Sequence, residues 1–410
     1  MNHSPPPATR LVSLDALRGF DMFWILGADS LVVALGALSQ SAPVRAVAAQ
    51  LEHKDWEGFA FYDLIFPLFV FIVGVSLVFS LTQQLSRVPR SVAVKRILRR
   101  AALLILLGIF YNGGLSHPWP DVRIAGVLQR IGLAYGVTGL LFCFFRPRQL
   151  AAITVALLVG YWALMTFVPI RDVQLERTAL IARWPDAPRS SRGFPDRARA
   201  EALYAETTTR VTGHYEAGHN LADHLDFRFL PGRLHDGYYD PEGLLSTLPA
   251  IATCLLGVFA GLLLRRVDLS DQSKVRTLVI AGIAALALGW LWHLQFPVIK
   301  KIWTSSYVLV AGGWSALLLA LFYYVVDVRQ WRRWCQPFVW IGMNPITLYI
   351  ATSVFSFHRV AGVLAGGSVS AWFDRQIVAG AGEIMVTLIS LALVFLFARF
   401  LYVRKIFLRV

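Results

Sequence analysis

Residues 58–81 read GFAFYDLIFPLFVFIVGVSLVFSL, a run in which Asp63 is the only charged side chain. An α-helix rises 1.5 Å per residue, so this run is long enough to cross a hydrocarbon layer about 30 Å thick. The whole chain has the same character, because 56% of its 410 residues are hydrophobic. The sequence therefore predicts an all-α, polytopic membrane protein.

About ten segments are apolar enough to be transmembrane helices. We treat residues 1–410 as a single transmembrane domain, in which residues 169–241 form one long extracytoplasmic insertion between the fifth and sixth spans. The predicted spans are 13–39, 58–82, 98–112, 124–145, 150–168, 243–264, 277–295, 306–327, 336–357 and 383–403.

The net charge of +14 would suggest a nucleic-acid partner in a soluble protein. Here its distribution predicts topology instead. With a cytoplasmic N-terminus, the short inner connections hold nineteen Lys and Arg against seven in the short outer ones. The positive-inside rule then places both termini in the cytoplasm. The expected surroundings are a lipid bilayer without nucleic acid, and a homodimer is one expected assembly.

His53 and Asp63 are the first candidates for chemistry. A carboxylate at membrane depth is costly and is therefore a candidate functional group. His53 lies ten residues earlier, just outside the apolar run. An imidazole beside a carboxylate suits a general base and the acid that orients it. Local pairing of Asp63 and an interfacial position for His53 explain the same spacing, so both interpretations stay open.

The first predicted span is unusually polar. It contains Asp15, Arg18, Asp21 and Asp29 at roughly helical spacing, which predicts one face directed into protein. Asp15 and Arg18 can simply pair with each other. Asp29 has no partner nearby in the sequence and is the better functional candidate.

Polar residues also lie at the starts of the fourth and sixth spans. A buried arginine needs a partner, so Arg123 and Arg130, with Gln129 beside them, predict either an anionic ligand or pairing with acids of the first span. Asp240 and Glu242 begin the sixth span. They can hold a cationic or polyhydroxylated ligand, or stabilise the helix N-terminus through its dipole.

Further polar groups lie near the eighth and ninth spans. Lys301, Ser305 and Tyr307 are at the outer mouth of the eighth span, and Asn344 with Pro345 interrupts the ninth. These side chains are candidate hydrogen-bond donors to a substrate. Interrupted helices are also typical of transporters, so an amino-sugar permease is an alternative.

Four histidines of the insertion invite a metal-site interpretation. His214, His219 and His224 follow one another in five-residue steps, which progress around a helix instead of stacking on one face. His235 lies further on, and no HExxH pattern occurs. We therefore predict no metal.

Six motifs together resemble the heparan-alpha-glucosaminide N-acetyltransferase family, and within it the bacterial NagX-like members. The resemblance implies an integral-membrane enzyme of the bacterial inner membrane. Such an enzyme takes acetyl-CoA from the cytosol and acetylates the amine of a glucosamine on the far side. The motifs, in chain order, are RLVSLDALRGFDMFW (10–24), EHKDWEGFAFYDLIFPLFVFIVG (52–74), VRIAGVLQRIGLAY (122–135), YDPEGLLSTLPAI (239–251), KKIWTSSYVLV (300–310) and GMNPITLYI (342–350).

The resemblance also implies roles for individual residues. The catalytic histidine of the family falls on His53, as base or as acetyl carrier, and a supporting acid falls on Asp63. A family asparagine falls on Asp29, so this chain departs there. We expect the acetyl-CoA site at Arg18, Arg123, Gln129 and Arg130, and the amino-sugar site at Asp240, Glu242, Lys301, Ser305, Tyr307 and Asn344.

Overall fold

The computed structural model of the chain describes residues 11–28, 30–31, 41–188 and 193–407. Asp29, one of the predicted site residues, lies outside the described residues. Helices dominate the described part, which confirms the all-α class. The helices of the first half are α1 to α6: Val12–Phe23, Ala42–Leu51, Ile65–Leu85, Arg90–Tyr111, Val127–Phe144 and Pro147–Phe167.

Three short helices and a small hairpin then form the insertion, before the second half of the bundle. The insertion helices α7 to α9 are Arg177–Arg183, Arg197–Glu206 and Leu221–Phe229. Strands β1 (Ile170–Arg171) and β2 (Arg210–Val211) pair antiparallel. Helices α10 to α17 are Thr247–Leu264, Asp271–His293, Ser305–Phe322, Gln336–Gly342, Pro345–Val354, Phe357–Ala365, Ser368–Gln376 and Ala381–Val403.

Within the described residues, seven helical segments are long and apolar enough to cross a membrane. An eighth counts if α14 and α15, which bend by 60° at a short break, are taken as one span. The polytopic class is therefore confirmed, with fewer qualifying spans than the ten predicted. The seven are α3 with its preceding 3₁₀ turn, α5, α6, α10, α11, α12 with its following π turn, and α17.

Three of the predicted spans are not among these seven segments. Helix α4 has the length of a span but carries Lys95, Arg96, Arg99 and Arg100 in its first half. The predicted ninth span is broken at Asn344, between α13 and α14. The first predicted span is described only in part, and there α1 passes into a π turn.

Helix α3 is the centre of the bundle. In its most apolar window 72% of the residues are buried, compared with 17% for α11. It touches α10 backbone to backbone: a Cβ added at Gly74 would lie 1.9 Å from the carbonyl oxygen of Cys254, and one at Gly257 would lie 1.9 Å from that of Phe71. Since no side chain fits between them, this contact fixes the spacing of the two helices.

The insertion packs on one end of this bundle. Its Ile170, Leu221 and Ala222 share a hydrophobic core with Tyr161 of α6 and Phe296 of the loop after α11. Its helices begin with local caps, in which acidic or amide side chains accept backbone N–H bonds: Glu176, Asp196 and Asn220. The insertion therefore forms a fixed wall above the helix ends that begin α3 and α10.

Candidate active site

The loop before α3 presents His53. The backbone N–H of Gly58 donates to the carbonyl of Val298 (2.8 Å). The backbones of Glu57 and Ile299 form an isolated antiparallel β-bridge. Gly58 has a φ of +116°, which L-residues rarely adopt. The indole N–H of Trp56 donates to the carbonyl of Tyr215 in the insertion at 2.8 Å. The loop is thus held from two sides.

Asp63 lies directly beneath His53. Its side chain is fully buried, and Oδ1 lies 2.9 Å from Nδ1 of His53, whose own side chain is 50% exposed. The other carboxylate oxygen accepts N–H bonds from Ala60 (3.0 Å) and Lys54 (3.4 Å). Tyr307 donates its hydroxyl to the Asp63 backbone carbonyl at 2.7 Å. The N–H donors of Ala60 and Lys54 stabilise an ionised carboxylate, which in turn holds Nδ1 of the imidazole as the N–H donor.

Lys300 completes this group, and sequence reasoning did not single it out. Its Nζ lies 3.4 Å from Oδ1 of Asp63, and 2.8 and 3.1 Å from Nδ1 and Nε2 of His53. Burial lowers the pKa of the Lys300 ammonium, although Asp63 opposes this shift. Because two lysines are adjacent, spacing alone did not choose between them, and Lys301 was predicted instead.

A second charged group lies on the opposite side of the same cleft. Arg123 binds Asp240 through two hydrogen bonds (3.1 and 2.9 Å) and Glu242 through one (2.8 Å). Burial and the nearby Asp240 raise the pKa of Glu242. Burial also opposes ionisation of Asp240, but the bonds from Arg123 prevail and lower the pKa of Asp240. Glu242 is therefore the carboxyl of this pair that holds a proton more readily.

These groups surround a cavity of about 270 Å³, which we call the His53 cleft. Its volume suits a small polar molecule. Lys301 on its rim forms an ion pair with Asp236 at 3.0 Å. The cleft thus offers both cations and a carboxyl to a ligand. Its charged and histidine lining is His53, Lys54, Arg123, His235, Glu242, Lys300 and Lys301.

The other residues predicted for the sugar site have different positions. Asp240 holds Arg123. Ser305 is fully buried and donates to the carbonyl of Leu158, and Tyr307 supports the backbone of Asp63. The side chain of Asn344 is buried at the break before α14, and its polar atoms have no hydrogen-bond partner among the described residues. Glu242 and Lys301 are the predicted sugar-site residues that line the cleft.

A second cavity, of about 280 Å³, lies further along the bundle, and we call it the Arg18 cavity. Ser76 on its wall is eleven residues beyond the start of α3, which corresponds to about 16 Å along the axis. Arg18 donates to Ser76 at 2.6 Å, and Arg100 lies over the ring of Tyr135 at 4.9 Å. Arg100 was not predicted, because its position suggested snorkelling to lipid headgroups.

The four residues predicted for acetyl-CoA do not cluster. Arg18 lines the Arg18 cavity, whereas Arg123 lines the His53 cleft. Arg130 is buried over the ring of Trp303 at 4.9 Å, and it donates to Ser246 and to the carbonyl of Gly243. Gln129 is also buried, and its amide has no hydrogen-bond partner within the part of the chain that the structure describes.

A small apolar pocket lies between the two cavities, and we call it the central pocket. Phe66 and Val127 line both it and the His53 cleft. Phe69 and Ile346 line both it and the Arg18 cavity. The three spaces therefore lie next to one another through the core of the bundle, and each shares lining residues with its neighbour.

The chain is similar to proteins of known name. The family described as "Heparan-alpha-glucosaminide N-acetyltransferase, catalytic" matches residues 10–181, a segment that includes His53, Asp63 and Arg18. The mouse and human proteins named heparan-alpha-glucosaminide N-acetyltransferase are similar to this chain. Each is 29% identical over about 350 aligned residues, which cover 74% of this chain.

The chain spans about half the length, 49%, of the curated relatives it matches. The similarity therefore covers most of this chain but only about half of each relative. The match includes the segment with the imidazole–carboxylate pair. Over this segment the chain is similar to the heparan-alpha-glucosaminide N-acetyltransferase family.

Proposed function

We propose that the chain is a transmembrane N-acetyltransferase, which moves an acetyl group from acetyl-CoA to the amine of a glucosamine-type amino sugar. The observation that carries the proposal is the row of three neighbouring cavities, with Arg18 and Arg100 at one end and the imidazole–carboxylate pair at the other. The names of the relatives support the acetyl group and the glucosaminide.

The reaction needs an amine that has lost its proton. Because Asp63 holds Nδ1 of His53 as the donor, Nε2 carries the lone pair that accepts this proton. The amine nitrogen then forms a bond to the thioester carbon and the carbon–sulfur bond breaks. The leaving thiolate takes up a proton, so that free CoA and the N-acetylated sugar are the products.

His53 can also act as the acetyl carrier. In that case Nε2 attacks the thioester, CoA leaves, and the sugar amine displaces the acetyl group from the imidazole. Both routes use the same nitrogen. In both, negative charge develops on the carbonyl oxygen, and the ammonium of Lys300, 3.1 Å from Nε2, is the nearest cation to stabilise it.

The acceptor site follows from the charges of the His53 cleft. Glu242 suits the protonated amine of an incoming sugar, and Lys301 and Lys54 suit its hydroxyl oxygens. The sugar would thus be held between the carboxyl of Glu242 and the imidazole of His53.

The donor site follows from the Arg18 cavity. Arg18 and Arg100 suit the phosphates of CoA. One observation supports a phosphate at Arg100. Its Nε is buried and lacks a hydrogen-bond partner among the residues described. The apolar central pocket suits the uncharged pantetheine arm. Arg130 is buried against Trp303 and lines none of these three spaces, so we assign it a structural role.

The proposed orientation places both termini in the cytoplasm of a bacterium and the insertion outside the inner membrane. Cysteine labelling tests this. Position 199 is exposed on α8 and position 90 is exposed at the start of α4. An impermeant reagent added outside should label Arg199→Cys and not Arg90→Cys. The reverse pattern would place His53 in the cytoplasm and reject the scheme.

Activity is tested by incubating the purified full-length chain with acetyl-CoA, with and without glucosamine. We expect glucosamine-dependent release of CoA and an equal amount of N-acetylglucosamine, measured by mass spectrometry. An amino-sugar permease is the second candidate, because a row of cavities also suits transport. Uptake of labelled sugar into vesicles without CoA release would favour the permease.

A further inference from the structure

The geometry points to a divalent-metal site of the zinc type in the insertion, formed by His214, Glu216 and His219. One ligand atom from each of these side chains lies within 4.8 Å of the other two. Two imidazoles and a carboxylate are a donor set that zinc accepts. This inference is independent of the proposed enzyme activity.

The backbone here differs from the helix that the sequence argument assumed. The argument against a metal assumed a helix, in which a five-residue step separates the side chains. The structure instead has a tight turn: the N–H of His219 donates to the carbonyl of Glu216 at 3.0 Å, and Gly218 has a φ of +69°. The turn brings the ring centroids of His214 and His219 to 4.6 Å from each other.

The donor spacing is close to that of a tetrahedral site. Metal–ligand distances of about 2.0–2.2 Å place neighbouring donors about 3.4 Å apart. Nδ1 of His214 and Oε2 of Glu216 are already 3.3 Å apart. Glu216 is 63% and His214 37% exposed, so an ion can reach these side chains from solvent. A water molecule can fill the fourth position.

Asp172 lies beside His219, whose Nε2 makes no hydrogen bond of good geometry among the described residues. Its Oδ1 lies 3.1 Å from Nε2 of that histidine. A carboxylate bound to one ring nitrogen while the other ring nitrogen binds the metal is the usual second contact of a zinc-bound histidine. Asp172 is therefore a positioning residue in this proposal.

The turn is anchored to its surroundings before any ion binds. The amide of Asn220 donates to the carbonyl of Glu216 at 2.9 Å, and the N–H of Gly218 donates to Asp223 at 2.8 Å. The carbonyl of Tyr215, within the cluster, accepts the Trp56 indole N–H. A bound ion would thus brace the wall that supports the His53 loop.

The experiment uses the full-length chain in detergent, with any purification tag removed and metal stripped with chelator. Zinc binding is measured by calorimetry, and Co²⁺ is added as a spectroscopic probe of tetrahedral geometry. We expect one zinc per chain and the intense visible bands of tetrahedral Co²⁺. His214→Gln and His219→Gln should each weaken zinc binding about 100-fold or more, and Asp172→Asn about 10- to 100-fold.

His117→Gln is the matched control, because it removes a histidine outside the cluster, and it should bind zinc like the parent. Glu216→Gln removes the carboxylate ligand but preserves the shape of the side chain, and it should also weaken zinc binding. Zinc should also raise the melting temperature of the parent and not that of His219→Gln. Absence of binding would overturn the proposal. Equal zinc binding by the parent and by the variants at His214, Glu216, His219 and Asp172 would also overturn it. The result would then be an adventitious ion only.

Discussion

Nζ of Lys300 lies beside the ring of His53, 2.8 Å from Nδ1 and 3.1 Å from Nε2. The imidazole is therefore placed between a carboxylate and an ammonium, and it contacts both before a substrate arrives. An amine that enters the cleft must displace Lys300 from Nε2. The displaced ammonium stays close enough to stabilise charge on the carbonyl oxygen.

His53→Ala should lower glucosamine-dependent CoA release by about 10²- to 10⁴-fold, because the reaction loses its base. If His53 instead carries the acetyl group, the rate of CoA release should fall further. The measurement is the initial rate of CoA release from the purified variant, with His117→Gln as the control. Activity near the parent level in His53→Ala would reject the mechanism, and sugar uptake that persists in this variant would support the permease.

Asp63→Asn should give a smaller defect. It removes a charge-assisted hydrogen bond to Nδ1 worth about 1.5–3 kcal/mol, which corresponds to a loss of about ten- to hundredfold in rate. The fold should persist, since Asn keeps an oxygen for the Ala60 N–H. The rates of the two variants, measured in the same preparation, test the order. A larger loss in Asp63→Asn than in His53→Ala would contradict the assigned roles.

Lys300→Gln and Lys301→Gln form a matched pair. Loss of the ammonium near Nε2 should lower kcat by about 10²-fold, as for removal of an oxyanion donor. Loss of Lys301 should mainly raise KM for the sugar, because Lys301 lies on the rim and pairs with Asp236. Steady-state kinetics on both variants check this. The same change in kcat for both would remove the special role of Lys300.

Arg18→Gln and Arg130→Gln separate two positions for the donor. Removal of Arg18 should weaken CoA binding, measured by calorimetry, and should also cost some stability, because Arg18 donates to Asp15, Ser76 and the carbonyl of Gly342. Removal of Arg130 should lower the melting temperature, because a buried cation near Glu242 is lost. If Arg130→Gln instead weakened CoA binding at unchanged stability, the donor would extend to α5 as the sequence predicted.

Asp226→Asn should change how stability depends on pH. Burial raises the pKa of Asp226 to about 7, although N–H donors from Leu244 and Asp240 oppose the shift. The folded chain then binds more protons here than the unfolded chain between pH about 4 and about 7, so this group lowers stability as pH rises through that window. The shift of about three units corresponds to at most about 4 kcal/mol.

The variant should therefore melt at a higher temperature than the parent at pH 8, with the difference shrinking towards pH 4. Burial lowers the pKa of His224 to about 4, which gives the opposite slope, so variant and parent are compared at each pH. Glu201→Gln, an exposed change in the same insertion, is the control. A constant difference across the pH range would exclude titration of Asp226.

The predicted pairing of His53 and Asp63 matches the structure, because one apolar run fixed the depth of the carboxylate and placed the histidine just outside. The apolar runs also predicted most of the spans. The break at Asn344 shortened one of them, because Pro345 disfavours a helical backbone at the residue before it.

Contacts between distant parts of the chain were beyond prediction. Arg123 was assigned to the donor, but its partners, Asp240 and Glu242, lie more than one hundred residues later. From the sequence, Arg100 is one of several basic residues near the end of a predicted span. In the structure it packs against the ring of Tyr135 on α5. Tertiary packing, and not local pattern, decides the roles of such residues.

The narrow central pocket has an electrical consequence. If the cavities on either side of it hold water and ions, most of the membrane potential falls across the short apolar layer of Phe66, Phe69 and Ile346. Moving one elementary charge through 100 mV changes its energy by about 2.3 kcal/mol. A negative interior would then drive an anion outward from the Arg18 cavity, and the energised state of the membrane would influence how often this protein turns over.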